Sequence, residues 1–359
     1  MEKWSRNKTV HALRFFAAGM ALSTTSACGS NSGVTSPSST RDYTNYYSIM
    51  SSCAAPGTPS YAVAANAQYS TASTNDYAAV YTPTSGMNWP LLVWIHGGGW
   101  GNTSLLYNNS YTLNEITPFL SQGYAVASVD YRMSAGLSNP SILPAQIQDV
   151  RCSIMWLRAN AATYHYSTTN LVVMGESAGG QLAGMLAMNL ANGLGFDDTV
   201  NCSSWAGGAG NATVHSAVLW YPAADVRSTS LLSTTPISGL SCSNPRTCVN
   251  AVLGAVPESI PALASSVSPI ARLSASTVPI LVNTGSVDSL LSPDISRNFV
   301  STAAGFGSRI TYVELTGLDH GFFGGDYSNY WNMSGPNASQ YAKSVCTALN
   351  FISKTSQGL

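Results

Sequence analysis

Charged side chains are scarce in this chain. Lysine and arginine number 15, aspartate and glutamate 16, together 9% of 359 residues, for a formal net charge of −1. Without a basic excess there is no electrostatic footprint for nucleic acid, and without an acidic run there is no solvating tail. Long apolar runs are lacking too. None reaches the ~20 residues that cross a bilayer, so no transmembrane helix is expected. Neither C-x-x-C nor H-E-x-x-H spacing occurs, and no zinc site is expected. No internal repeat is found. What remains is 45% apolar residues in a polar but uncharged setting, enough for a sizeable core and one large domain.

The N-terminus has the layout of an export signal. Lys3, Arg6, Lys8 and Arg14 precede a modest apolar stretch from Phe15 to Leu22, and small residues from Ser23 to Ala27 lead to Cys28. Two outcomes fit: cleavage near Ala27, or lipidation of Cys28, since Thr25-Ser26-Ala27-Cys28 approaches a bacterial lipobox that would carry Leu at Thr25. Either places the protein outside the cytoplasm: periplasmic, anchored to the outer membrane or secreted. The 7 cysteines are an odd number. Without Cys28, six are left for three disulfides in an oxidising compartment. Cys242 and Cys248, close together in a Ser/Asn/Pro loop, are the first expected pair. Cys53, Cys152, Cys202 and Cys346 can connect in any of three ways. The expected organisation is a signal over 1–27, a Ser/Gly/Thr/Pro-rich tether and N-terminal extension over 28–55, and one catalytic domain over 56–359.

Within that domain apolar runs alternate with helical patterns. Strands are expected at Tyr77 to Tyr81, Leu91 to Ile95, Ala125 to Val129, Leu171 to Met174, Ala217 to Tyr221, Ile280 to Asn283 and Ile310 to Leu315. Helices are expected at Tyr111 to Gln122, Ala145 to Tyr164, Ala178 to Leu190 and Ser339 to Lys354. In the second helix Ile147, Val150, Ile154 and Leu157 form one apolar face at three- and four-residue spacing. This alternation predicts an α/β fold: a mostly parallel central sheet with helices on both faces, and ligands at the carboxyl ends of the strands. The stretch from Pro222 to Val278 shows no clear strand and is expected to form lid or substrate-binding loops.

Chemistry is concentrated just after those strands. Gly175-Glu176-Ser177-Ala178-Gly179 fits G-x-S-x-G between an apolar strand and a helix, the setting in which a sharp turn lifts a nucleophilic serine above the sheet. The helix start favours developing negative charge. His96-Gly97-Gly98-Gly99-Trp100 follows another strand. Consecutive glycines let backbone N–H groups converge on one point, as an oxyanion hole requires, and the amide of Ala178 adds a donor. Five histidines are present. His11 lies in the signal, His96 in the glycine loop, His165 at a helix end and His215 at a strand start. That leaves His320, in Leu318-Asp319-His320-Gly321-Phe322, as the base. The acid should follow the preceding strand, which selects Asp288, with Asp225 as the competitor after Tyr221. Asp319 adjoins His320 in sequence, but neighbouring side chains diverge. Asp294 is read as a helix-start residue next to Pro293. Trp100, Trp205 and Trp331 are available to pack on a sugar or aromatic acyl group, or simply on the protein.

These motifs, with Asp130-Tyr131-Arg132, resemble the α/β-hydrolase fold carboxylesterases of the hormone-sensitive-lipase-like and BD-FAE-like groups, the latter including feruloyl and acetylxylan esterases. Leu143-Pro144-Ala145-Gln146, Asp149-Val150-Arg151 and Trp156-Leu157-Arg158-Ala159-Asn160 resemble the helix before the elbow in the BD-FAE-like group. The resemblance runs from about Tyr77 to the C-terminus. It implies Ser177, Asp288 and His320 as a triad, the amides of Gly98, Gly99 and Ala178 as the oxyanion hole, and Asp130, Tyr131 and Arg132 as braces of that loop. A mechanism of this kind needs no metal or organic cofactor, and a small-molecule or polysaccharide-linked ester is the expected substrate; the charge balance predicts no nucleic-acid partner, and membrane attachment is expected only through a lipidated Cys28. Glu176 stands where many hormone-sensitive-lipase-like members carry Asp. Gly-Glu-Ser-Ala-Gly also occurs in the much longer cholinesterase-type carboxylesterases, which usually use Glu as the acid. A prolyl-oligopeptidase-like peptidase and a catalytically inactive binding module are the rival readings.

Overall fold

The computed structural model describes Cys53 and residues 59–102, 110–134, 141–190, 194–202, 204, 212–237, 242–322 and 338–357. The expected signal and Cys28, and also Trp205 and Trp331, lie outside the described residues.

Eight strands form one sheet: β1 Tyr61–Gln68, β2 Tyr77–Pro83, β3 Trp89–Ile95, β4 Ala125–Val129, β5 Tyr166–Glu176, β6 Ser216–Trp220, β7 Ile280–Gly285 and β8 Ile310–Leu315. Their spatial order is β1-β2-β4-β3-β5-β6-β7-β8. β1 and β2 run antiparallel to their neighbours, and every pair from β4 onward is parallel. β4, β6 and β7 are buried at every position. That is why they read as unbroken apolar runs rather than alternating ones: helices cover both faces of a parallel sheet.

The period of two still decides which layer each side chain joins. Leu91, Val93 and Ile95 of β3 enter one core cluster, while Leu92 and Trp94 enter the other. On the first face lie α2 Ala145–Ala159, α3 Ser177–Ala187 and α7 Pro293–Ala304. Ile147, Val150, Ile154 and Leu157 of α2 are buried there, as their spacing predicts. On the second face α1 Ser110–Ser121 contributes Ile116, Phe119 and Leu120, and α8 Ala338–Ser356 contributes Tyr341, Val345 and Phe351. Between β6 and β7 the described residues form three short α-helices, α4 Pro245–Leu253, α5 Pro261–Ser266 and α6 Pro269–Arg272. Each begins at a proline, whose fixed φ and missing N–H suit the first helical position.

The structure modifies several sequence-derived boundaries. α2 stops at Ala159, short of Tyr164, because the chain turns through 160–165 with His165 at φ +58°. β5 starts at Tyr166, extended by the polar residues before Leu171. Asp294 sits in the first turn of α7, but the cap is Ser292, whose Oγ accepts the Asp294 N–H. The cysteines pair as Cys53–Cys346, Cys152–Cys202 and Cys242–Cys248. No helix among the described residues is long and apolar enough to cross a membrane.

One buried cluster predicts a pH-dependent stability. Asp76, fully buried before β2, lies near Asp149, which is itself held by Arg132 through Nε at 2.9 and 3.0 Å and Nη2 at 2.8 Å. Burial first, then the Asp149 charge, push the Asp76 carboxyl well above its ordinary value. The native state therefore keeps a proton that the unfolded chain releases near pH ~4. Stability contributed by protonated Asp76 is complete below that value and lost as pH rises toward the raised one. Asp76→Asn should melt like wild type at pH 4 and progressively higher at pH 6 and 8. A melting-temperature difference that does not change with pH would contradict this.

Candidate active site

The carboxyl ends of β3, β5, β6, β7 and β8 converge on one point. β5 ends at Glu176, and Ser177 opens α3 with φ +51°, a left-handed conformation rare for a residue with a side chain. The strain is sustained because the turn is packed too closely to relax. A Cβ on Gly179 would collide with the carbonyl groups of Ile95 and His96 at the end of β3. The Ser177 carbonyl also accepts the Ala223 N–H at 3.1 Å, tying the elbow to the segment after β6.

His320 and Asp288 are brought to the serine from separate loops. His320 Nε2 is 3.0 Å from Ser177 Oγ, and His320 Nδ1 is 2.9 Å from Asp288 Oδ2. A carboxylate can only accept, so the ring proton is on Nδ1 and Nε2 presents its lone pair to the serine hydroxyl. Asp288 is fixed by its other oxygen, which accepts the N–H groups of Leu290 at 3.0 Å and Leu291 at 2.8 Å. Burial lowers the affinity of His320 for a second proton. The charge and hydrogen bond of Asp288 outweigh it, helped by Glu176 and Asp319, and the net shift is upward. The competing acid is occupied elsewhere: Asp225 is bound by Arg227 through the backbone N–H at 3.0 Å, Nε at 2.9 Å and Nη2 at 2.8 Å.

The glycine loop faces the elbow. Gly98 and Gly99 have φ of +89° and +61°, which only glycine adopts without cost. No acceptor among the described residues meets either N–H. Ala178, in the first turn of α3, has an N–H without an intrahelical partner. The loop is braced from several sides. The Tyr131 hydroxyl is shared between the carbonyls of His96 at 3.0 Å and Gly97 at 3.1 Å, and its ring stacks on His96. The Gly97 N–H donates to Glu176 Oε1 at 3.1 Å. Trp100 Nε1 donates to Gln181 Oε1 at 3.1 Å, so this tryptophan supports the loop from within the core. His96 Nδ1 is 2.9 Å from the Gly97 carbonyl; burial, against that hydrogen bond, pushes its pKa down to about 4, and it stays neutral.

Three residues of this site have no assigned role in the sequence patterns. Glu176 receives the Gly97 N–H on one oxygen and the Tyr221 hydroxyl on the other. Tyr221, just after β6 with φ +35°, sets its ring edge against His320, 4.7 Å between centroids. Asp319 turns away from its neighbour's ring, as adjacent side chains do, and accepts the Ser289 N–H at 2.7 Å, the Ser289 hydroxyl at 3.0 Å and the His320 N–H at 2.7 Å. It thereby joins the Asp288 loop to the His320 loop. Among the described residues no three His, Cys, Asp or Glu are grouped to hold a metal ion.

A mostly parallel sheet with a serine elbow after β5, an acid after β7 and a histidine after β8 defines an α/β hydrolase. The chain belongs to the BD-FAE family, which matches residues 79–302. Esterase LipC of Mycobacterium tuberculosis is 27% identical over 234 residues, 65% of this chain and 53% of that protein. The chain thus spans about half the length of that relative. The para-nitrobenzyl esterase of Bacillus subtilis is 33% identical over 128 residues, 33% of this chain and 25% of that protein. Among solved structures, a truncated carbohydrate esterase from gut microbiota superposes with a TM-score of 0.61 at 22% identity, covering 84% of this chain and 99% of that one. A thermophilic esterase of Thermogutta terrifontis gives 0.58 at 19% identity, covering 83% and 92%. At these identities the two structures establish the shared fold.

Proposed function

We propose that this protein hydrolyses carboxylic esters through an acyl-enzyme on Ser177, acting outside the cytoplasm on short-chain or polysaccharide-linked acyl esters. The observation that carries this reading is the unbroken run Asp288–His320–Ser177, at 2.9 and 3.0 Å, beside the amides of Gly98 and Gly99, which meet no acceptor among the described residues, and the first-turn amide of Ala178. Ser177 Oγ attacks the ester carbonyl while His320 Nε2 takes its proton. The carbonyl oxygen becomes an alkoxide held by the N–H groups of Gly98, Gly99 and Ala178, and Asp288 stabilises the imidazolium. The imidazolium then protonates the departing alcohol. Water enters with His320 again as base, and the acid is released. The names of LipC and of the gut carbohydrate esterase favour esters over amides and an acylated sugar as substrate. Three disulfides favour an oxidising compartment.

The test is a fluorophosphonate label followed by peptide mapping, with kinetics on p-nitrophenyl acetate, butyrate and octanoate, acetylated xylan, methyl ferulate and an aminoacyl-proline amide. Labelling on Ser177 with turnover of the shorter esters supports the reading. Absence of labelling and of all turnover would revive a binding module, and preference for the amide would make the protein a peptidase.

Two consequences arise directly. Because the base must be neutral and its pKa is raised, kcat/KM should climb with pH through a midpoint above the ordinary imidazole value of about 6.5. A profile between pH 5 and 9 with its acid limb below that value would count against His320 as base. Removing the Asp319 clamp should also be felt. Asp319→Ala should lower kcat about 10–100-fold by loosening the histidine loop, whereas Asp319→Asn, which still accepts hydrogen bonds, should recover most of it. Equal losses in both variants, read in kcat and melting temperature together, would assign the effect to charge rather than position.

A further inference from the structure

The Cys242–Cys248 bridge has no part in the chemistry above, yet both of its sulfurs lie against the glycine loop. A Cβ on Gly99 would stand 2.8 Å from Cys248 Sγ and 3.2 Å from Cys242 Sγ. The disulfide therefore occupies the space that a side chain at position 99 would take. Both cysteines are buried, and Cys248 sits on a well-anchored helix. Pro245 opens α4, and Asn244 caps it reciprocally with Thr247: Asn244 Oδ1 accepts the Thr247 N–H at 3.0 Å and Thr247 Oγ1 accepts the Asn244 N–H at 2.9 Å. Val249, Val252 and Leu253 bury its inner face, and the Val252 carbonyl accepts the Leu143 N–H at 2.8 Å.

We propose that the Cys242–Cys248 disulfide is a positioning element of the oxyanion hole: it holds the Gly99 amide in place, and its reduction impairs transition-state binding. The proposal rests on the role given to Gly99 under the proposed function. Bonded sulfurs lie about 2.05 Å apart. As separate thiols they must part to van der Waals distance, on the order of 3.5–4 Å, and each gains a hydrogen. The sulfurs contact Gly99 on one side, and α4, capped and packed, resists movement on the other. The added volume falls on the loop, whose glycines at positive φ offer no side-chain packing of their own. An oxyanion donor acts only if it is already aimed when the charge develops. A displaced Gly99 amide therefore costs turnover while leaving ground-state ester binding nearly intact. Reduction by a dithiol is balanced: the S–S bond takes two electrons and two protons to give two thiols, and the reductant closes to its own disulfide.

The experiment compares wild type, C242S/C248S and C152S/C202S, each before and after dithiothreitol. It measures kcat, KM and affinity for a trifluoromethyl ketone, whose adduct with Ser177 places an alkoxide in the hole. For C242S/C248S the expected result is a kcat lower by about 10–100-fold, KM within about twofold of wild type, ketone affinity weakened in parallel with kcat, and no further response to dithiothreitol. Wild type and C152S/C202S should fall to the same level on reduction and recover on reoxidation. Should C242S/C248S fail to fold, wild type titrated with dithiothreitol and mapped by alkylation gives the answer: kcat must track the opening of Cys242 and Cys248. Full kcat and unchanged ketone affinity with this bridge open, in a wild type that hydrolyses esters, would overturn the positioning role alone. A fully oxidised wild type that neither hydrolyses esters nor takes the fluorophosphonate would overturn the proposed function, and this role with it.

Discussion

Replacing Ser177 or His320 by alanine should lower kcat/KM for esters by about 10⁴–10⁶-fold while leaving the melting temperature close to that of wild type. The two losses should be of similar size and should not add in the double variant, because neither group does its work without the other. Asp288→Asn should cost about 10⁴-fold. The amide can still occupy the place between the Leu290 and Leu291 N–H groups and the imidazole, but it no longer fixes the Nδ1 tautomer or offsets the imidazolium charge. Asp225→Asn should stay within about twofold of wild type, since the Asp225 carboxylate is engaged with Arg227 and an exposed pair of this kind contributes at most about 1 kcal/mol. Steady-state kinetics on the four single variants and the double variant, with circular dichroism to verify folding, separates the outcomes. Equal losses for Asp288→Asn and Asp225→Asn would remove Asp288 from its assigned role.

The second large effect concerns folding. Gly179→Ala introduces one methyl group, and that group has nowhere to go: it meets the backbone carbonyls of Ile95 and His96, which are themselves held in the sheet and by Tyr131. The cost should exceed about 4 kcal/mol, a large part of the 5–15 kcal/mol typical of a domain, and appear as a loss of soluble protein or a melting temperature lower by about 10 °C or more. Gly123→Ala is the control. Gly123 also has positive φ, +82°, but a Cβ there meets nothing within 4 Å, so only the backbone penalty of about 1–2 kcal/mol applies. Similar melting temperatures for the two variants would show that the elbow can relax away from β3.

The contrast between those glycines also explains what could be read from the sequence. Buried parallel strands announce themselves as apolar runs, and β4 and β8 coincide with Ala125 to Val129 and Ile310 to Leu315. The edge strand β1, Tyr-Ala-Val-Ala-Ala-Asn-Ala-Gln, does not, because it pairs on one side only and Val63 is largely exposed. Helices α4 to α6 are short and start at prolines within a Ser/Pro-rich stretch, so their periodicity is too brief to register. At the site, Ser177 and His320 follow from motif and order. Asp288 and Asp225 both follow strands, and only the fold decides which of them meets the ring. Tyr221, Glu176 and Asp319 were out of reach for the same reason. Their partners lie 45, 79 and 30 residues away in the chain, and no local pattern encodes a contact of that kind.

The bond between Cys53 and Cys346 has a topological meaning. It joins residues 293 apart, so nearly the whole sheet lies within one covalent ring. By the chain-entropy account such a closure lies at the top of the usual range, about 6 kcal/mol. A single peptide-bond cut anywhere between the two cysteines opens the ring without dividing the molecule, and the pieces remain at the high effective concentration of a tethered pair. A protease that nicks a surface loop once would yield a two-chain protein held together until the bond is reduced.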